Sequence, residues 1–178
     1  MADEPPRYRI ARFDPQTHDR AGFSCGIDRL DNFLKLTAKK QQTGDFTRVF
    51  VATAPDGAAV LGYYAVNAHS LLGDALPEAI TRRAPPHGVP AAYLSMIAVS
   101  AAHQGRGLGR ILLVDALKRL AAVSDDLGLK AVVLDVLEDG GADAFERRLA
   151  FYERMGFRSF PSRRGRMFLL LRDAMGLS

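Results

Sequence analysis

The sequence predicts a mixed α/β domain, and three observations carry that prediction. Short runs rich in β-branched and aromatic residues alternate with segments whose apolar residues recur every three or four positions. The runs follow the order β, α, three strands in antiparallel succession, then α, β, α, β, β, an α/β alternation rather than an all-helical or all-strand pattern. A glycine-rich loop, "HQGRGLG", joins one strand directly to the most strongly periodic helix.

The elements follow in chain order. "YRIARF", residues 8–13, alternates polar and apolar positions and reads as a first strand. A helix is expected over 27–42, because Ile27, Leu30, Leu34 and Ala38 share one face with Phe33 beside them. "RVFVATA" (48–54) and "AVLGYYAVNAHS" (59–70) read as strands, and Pro55, Asp56 and Gly57 between them make a hairpin. Residues 71–90 carry four prolines and little period, so a short helical turn within a loop is expected there. "AAYLSMIAVS" (91–100) is a buried strand that runs straight into the glycine loop.

The helix over 108–124 has an apolar stripe of Leu112, Leu113, Ala116, Leu117 and Leu120, with Asp115, Lys118 and Arg119 off it. "AVVLDV" (131–136) is apolar enough for a central strand. A further helix over 143–155 stops at Gly156. Strands at 157–160 and 167–171 close the chain around a "PSRRGR" turn, and the apolar "MFLLL" of the last is expected to be free to pair at a sheet edge. No internal repeat, linker or low-complexity tract interrupts the 178 residues, so one domain over 1–178 is expected.

Composition bounds the function. With 48% hydrophobic and 25% charged residues the chain can bury a sizeable core. No apolar run approaches the roughly 18 residues of a membrane helix. The start, "MADEPPRYRI", is acidic and proline-containing where a signal peptide would be basic and apolar, so a cytoplasmic location is expected, without membrane partners. The single Cys25 forms no internal disulfide, in keeping with a reducing compartment. His18, His69, His87 and His103 have no ligand spacing, and no metal is expected.

The net charge of +4 admits an anionic partner. Eight arginines between Phe145 and Arg172 face only Glu146 and Glu153, which reads either as a solvated basic face or as one turned toward phosphate or RNA. Lys39 and Lys40, Arg82 and Arg83, and Arg163, Arg164 and Arg166 are the candidate phosphate contacts.

Three phosphate-binding loops compete for "HQGRGLGR". A P-loop needs Gly-Lys-Ser/Thr at its end, which is missing. A dinucleotide fingerprint counted from Gly105 and Gly107 would place its third glycine on Arg110, and about ninety residues precede the loop. The spacing that fits is Gln104-x-x-Gly107-x-Gly109, after a strand and at a helix start. Glycines there remove Cβ atoms and let successive N–H groups face one ligand. The helix start adds free N–H groups and the positive end of its dipole. Arg106 and Arg110 supply charge at the rim, so the loop reads as a cradle for a diphosphate.

These residues resemble the GNAT superfamily of acetyl-CoA-dependent N-acetyltransferases. The resemblance rests on the strand "LSMIAVS", the loop "HQGRGLG", the helix "RILLVDALKRLA" and the later "FYERMGF" (151–157), and it covers nearly the whole chain. It implies a GNAT-like fold: a mixed, mostly antiparallel sheet flanked by helices, whose "IAV" and "AVVLDV" strands splay at the acetyl-CoA site. It implies that Ile97, Ala98 and Val99 hold the acetyl carbonyl and pantetheine through their backbone. It assigns the pyrophosphate to Gln104, Gly105, Arg106, Gly107, Leu108 and Gly109, with Arg110 at the rim.

The front half, "FSCGIDRLDNFLKLTAKKQQ" with "GYYAVNAHSL" and "PPHGVPAAYLSMIAVS", resembles more narrowly the acetyltransferase toxins of bacterial toxin–antitoxin pairs. That likeness implies an aminoacyl-tRNA acceptor, a small ribbon-helix-helix antitoxin and a homodimer. Two features depart from it. Met96 stands where those toxins usually have arginine, and fourteen residues separate "AVVLDV" from "FYERMGF".

Acetyl transfer to an amine needs a neutral nucleophile, a polarised carbonyl and a proton for the departing thiolate. Tyr152 is the expected donor, since a phenol with a reference pKa near ~10 stays protonated at neutral pH. An α-amine, near ~8, is already partly neutral at pH 7, whereas a lysine amine is not. The sequence offers no obvious base, which favours an α-amine acceptor. The competing readings are transfer to a small-molecule or protein amine, and a non-catalytic acyl-CoA-binding regulatory module.

Overall fold

The computed structural model describes residues 7–72 and 76–174. Seven strands form one mixed sheet in the order β1-β2-β3-β4-β5-β7-β6. In chain order these are β1 (Arg9–Arg12), β2 (Arg48–Thr53), β3 (Gly62–Leu71), β4 (Val89–Val99), β5 (Ala131–Asp135), β6 (Arg158–Phe160) and β7 (Arg163–Leu170). The helices are α1 (Asp28–Asn32), α2 (Ala38–Thr43), α3 (Glu78–Thr81), α4 (Leu108–Asp126), α5 (Gly141–Arg154) and α6 (Leu171–Ala174). The chain clusters into two compact units, Met1–Val66 with Met96–Ala116 and Asn67–Ser95 with Leu117–Ser178.

In the first unit β1, β2 and the start of β3 pair antiparallel, with Val51 opposite both Ala11 and Tyr63. The expected hairpin is therefore present. The expected helix over 27–42 is also there, but a π-helical turn, Phe33–Thr37, separates α1 from α2. That extra residue per turn keeps Leu34 and Ala38 fully buried while Leu36 is left 75% exposed. Gly62 has a packing role: a Cβ there would stand 2.9 Å from Leu112 Cδ1, 3.1 Å from the Ala98 carbonyl and 3.3 Å from Leu108 Cδ2. Its missing side chain lets the first turn of α4 lie directly on the strands.

In the second unit β4 and β5 pair in parallel at Ala91↔Ala131, Ala92↔Val132 and Tyr93↔Val133. β4 itself ends at Val99, and its residues from Met96 on belong to the first unit. β5 pairs antiparallel with β7 from Ala131↔Leu170 to Asp135↔Arg166. The apolar centre is Leu71, Ile80, Val89, Ala91, Ala131, Val133, Phe160, Phe168 and Leu170. Alternation explains the register: Ala131 and Val133 face this cluster, and the neighbouring strands supply partners at the same pleat.

Two expectations need correction. The "MFLLL" segment is not at an edge, because β7 lies between β5 and β6. Met167, Phe168, Leu169 and Leu170 are buried, and Met167 and Phe168 are paired on both flanks. Nor are Arg163, Arg164 and Arg166 in a turn: only Pro161 and Ser162 turn, and the arginines belong to β7. No helix among the described residues is long and apolar enough to cross a membrane.

Candidate active site

The glycine loop starts where β4 ends. A short 3₁₀ turn, Ala101–His103, follows Ser100, and α4 begins at Leu108. Gly105 (φ +72°) and Gly107 (φ +83°) are left-handed, and a Cβ on either would point into open space. Ile111 is the first amide of the helix to be bonded, donating to the Gly107 carbonyl at 3.2 Å. Among the described residues, the amides of Gly105, Arg106, Gly107, Leu108, Gly109 and Arg110 donate to no protein acceptor. Unpaired donors in a row at a helix start can hold an anion, and the arginines at 106 and 110 are exposed beside them.

Gln104, the polar residue of the motif, does not point outward to a ligand. Its Nε2 donates to the carbonyls of Val99 and Cys25, each at 3.0 Å, and so ties the loop to the end of β4 and to the segment before α1. That segment is itself held by Asp31. The Cys25 amide donates to Asp31 Oδ1 at 2.8 Å and the Ser24 hydroxyl to Oδ2 at 3.0 Å. Burial alone would raise the Asp31 pKa, but these hydrogen bonds outweigh it and hold the carboxyl below its usual range. Ala101 N–H bonds back to Ser24 O at 2.8 Å, closing the frame. Cys25 itself is pushed up to about 11, by burial first and then by Asp31, so it is a structural thiol and not a nucleophile.

Tyr152 is on α5, with its ring edge-on to Phe151 (5.1 Å) and Phe157 (5.8 Å). The side chain is 8% exposed, and its hydroxyl makes no hydrogen bond among the described residues. Burial pushes its pKa up to about 12, opposed by Arg148, so the phenol remains a proton donor across the physiological range. Ile97, Ala98 and Val99 form the last turn of pleat in β4, with Ala98 buried.

The basic candidates separate. Lys39 and Lys40 are exposed on α2, and Arg82 and Arg83 are exposed just after α3. Arg164 is bound to Glu146 by both guanidinium nitrogens, Nη2 at 2.7 Å. Arg163 and Arg166 instead flank Asp135, at 3.5 and 3.6 Å. The Tyr93 hydroxyl donates to Asp135 Oδ2 at 2.9 Å, and Arg166 Nη2 stands 3.0 Å from His69 Nε2. A guanidinium has no lone pair to offer, so His69 Nε2 is the acceptor and the ring proton is on Nδ1. Burial, then Arg166, lowers the His69 pKa and keeps the ring neutral. This cluster escapes sequence reading because its members come from four strands.

The acetyltransferase (GNAT) domain family matches residues 45–159, and the chain belongs to that family. It is similar to "Probable toxin TacT" of Sinorhizobium fredii, 46% identical over 171 residues that cover 94% of each chain. It is 35% identical to "tRNA-acetylating toxin" of Mycobacterium tuberculosis over 170 residues, 96% of each. Among solved structures, a tyrosine-to-phenylalanine mutant of KacT superposes with a TM-score of 0.85 at 22% identity, covering 97% of this chain and all of the other. The chain is accordingly an acetyl-CoA-dependent acetyltransferase.

Proposed function

We propose that this enzyme acetylates the α-amino group of an aminoacyl-tRNA and acts as the translation-blocking toxin of a toxin–antitoxin pair. The observation that carries the reading is near full-length identity, 46% and 35%, to relatives named as a toxin and as a tRNA-acetylating toxin. On this reading residues 1–178 are one N-acetyltransferase domain working in the cytoplasm, with a small ribbon-helix-helix antitoxin as partner. A homodimer follows from the toxin likeness alone.

Acetyl-CoA supplies a thioester electrophile. The loop fits its diphosphate, because six unpartnered amides and two exposed arginines follow one another where the space beside Gly105 and Gly107 is open. Residues 105–110 bind the anion, and Gln104 fixes the loop rather than touching the ligand. The backbone of Ile97, Ala98 and Val99 orients the acetyl carbonyl and polarises it. Tyr152 gives its hydroxyl proton to the departing thiolate. Lys39, Lys40, Arg82, Arg83 and Arg163 track the phosphates of the acceptor, while Arg164 is engaged with Glu146 and Arg166 with His69 and Asp135.

A reconstituted translation system tests this reading. Wild-type protein with acetyl-CoA is expected to stop peptide synthesis, and omission of acetyl-CoA or Tyr152→Phe to restore it. Undiminished synthesis with active enzyme present would refute the toxin assignment.

A further inference from the structure

Asp135 ends β5 two residues beyond the last β4–β5 pair, Tyr93↔Val133, and Tyr93 reaches along the same face to its carboxylate. The C-terminal ends of parallel strands are where open α/β sheets place ligands. The carboxylate is only partly satisfied. Oδ2 accepts from Tyr93, but Oδ1 is buried and accepts no hydrogen bond. The nearest cation to Oδ1 is Arg163 Nη1 at 3.5 Å, too long for a good hydrogen bond. Arg163 is 58% exposed and makes no hydrogen bond among the described residues. Arg166, by contrast, is fixed by His69. The group thus holds one unfilled acceptor beside one unfilled, movable cationic donor, and two guanidiniums against a single carboxylate.

We infer that this cluster recognises the acceptor by two opposite charges at once: Asp135 receives the α-ammonium of the aminoacyl group, and Arg163 swings from Asp135 to a phosphate of the same acceptor. This inference rests on the aminoacyl-tRNA reading above. This loosely held pair of opposite charges matches a ligand that carries ammonium and phosphate close together, which the charged 3′ end does and a simple amine does not. Tyr93 and Arg166 are positioning residues that hold Oδ2 and leave Oδ1 as the unfilled acceptor, which the departure of Arg163 opens to the ligand. Binding by Arg163 exchanges one exposed ion pair, worth little in water, for a charge-assisted phosphate contact.

Two acceptors separate the roles: one aminoacyl-tRNA, and the same amino acid as its free amide, which keeps the ammonium and lacks phosphate. Arg163→Gln is expected to raise KM for charged tRNA about tenfold and reduce the salt slope by about one, with kcat unchanged. The same variant is expected to leave the amide reaction unaffected. Asp135→Asn is expected to raise KM for both acceptors, with partial rescue by Asp135→Glu. Equal effects of Arg163→Gln on the two acceptors, or no effect of Asp135→Asn on either, would overturn the inference. If Asp135→Asn does not fold, as circular dichroism would show, the exposed Arg163 variant decides alone. Wild-type enzyme that acetylates the amide but never charged tRNA would instead defeat the tRNA reading, and the Asp135 arm would still be readable.

Discussion

Asp31 holds the Cys25 backbone amide at 2.8 Å, and the Cys25 carbonyl in turn accepts from Gln104 Nε2 at 3.0 Å. A buried carboxylate near the start of the chain thereby sets the position of a loop 79 residues beyond Cys25. Asp31→Ala leaves buried donors without an acceptor, each costing roughly 1–3 kcal/mol, so a loss of about 2–4 kcal/mol is expected by denaturant melting. Affinity for acetyl-CoA should fall with it, because the loop loses its tie to Ser24 and Cys25.

The same residue predicts an acid limb. Its folded-state pKa is depressed, so its contribution is complete above the unfolded value near ~3.9 and disappears as pH falls through the folded value. Melting temperature measured from pH 6 downward should decline more steeply below about pH 4 in wild type than in Asp31→Asn. Parallel curves would show that Asp31 does not carry this linkage.

Gly62→Ala brings a Cβ within 2.9 Å of Leu112 and 3.1 Å of the Ala98 carbonyl. The carbonyl cannot move aside cheaply, so overpacking of about 1–3 kcal/mol is expected. Calorimetry should show a Tm drop on the order of 3–10 °C for a chain of this length.

Gly107→Ala behaves differently. The space above it is open, so packing does not oppose the methyl group, but φ of +83° does. Strain of roughly 1–2 kcal/mol is relieved by turning the loop, which misaligns its amides. Acetyl-CoA affinity by titration calorimetry is expected to weaken about tenfold, the equivalent of ~1.4 kcal/mol, while Tm barely moves.

Tyr152→Phe removes the donor and keeps the ring that packs on Phe151 and Phe157. A fall in kcat of about 10²–10⁴ is expected, with acetyl-CoA binding and Tm unchanged. Weakened acetyl-CoA binding instead would make the phenol a binding group.

What could be read from the sequence follows local physics. α4 is legible because Leu112, Leu113, Ala116, Leu117 and Leu120 repeat at helical spacing, and the tight loop before it because glycines sit at fixed offsets between a strand and that helix. The π turn at Phe33–Thr37 is not, since its apolar residues fit an α-helical period almost as well. Asp31, Gly62 and Asp135 escape sequence reading because their roles depend on partners 6 to 50 positions away, on other strands, helices and turns. The β7 arginines were read as a turn because "PSRRGR" carries turn residues, yet pairing of Arg166 with Asp135 across the sheet extends the strand through them.

Transfer of labelled acetyl from acetyl-CoA to charged tRNA, beside uncharged tRNA, a polyamine and a lysine peptide, tests the central claim most directly. Label is predicted on charged tRNA alone, releasable together with the amino acid on deacylation and absent with Tyr152→Phe. Label on the polyamine or peptide, with charged tRNA left unmodified, would contradict it.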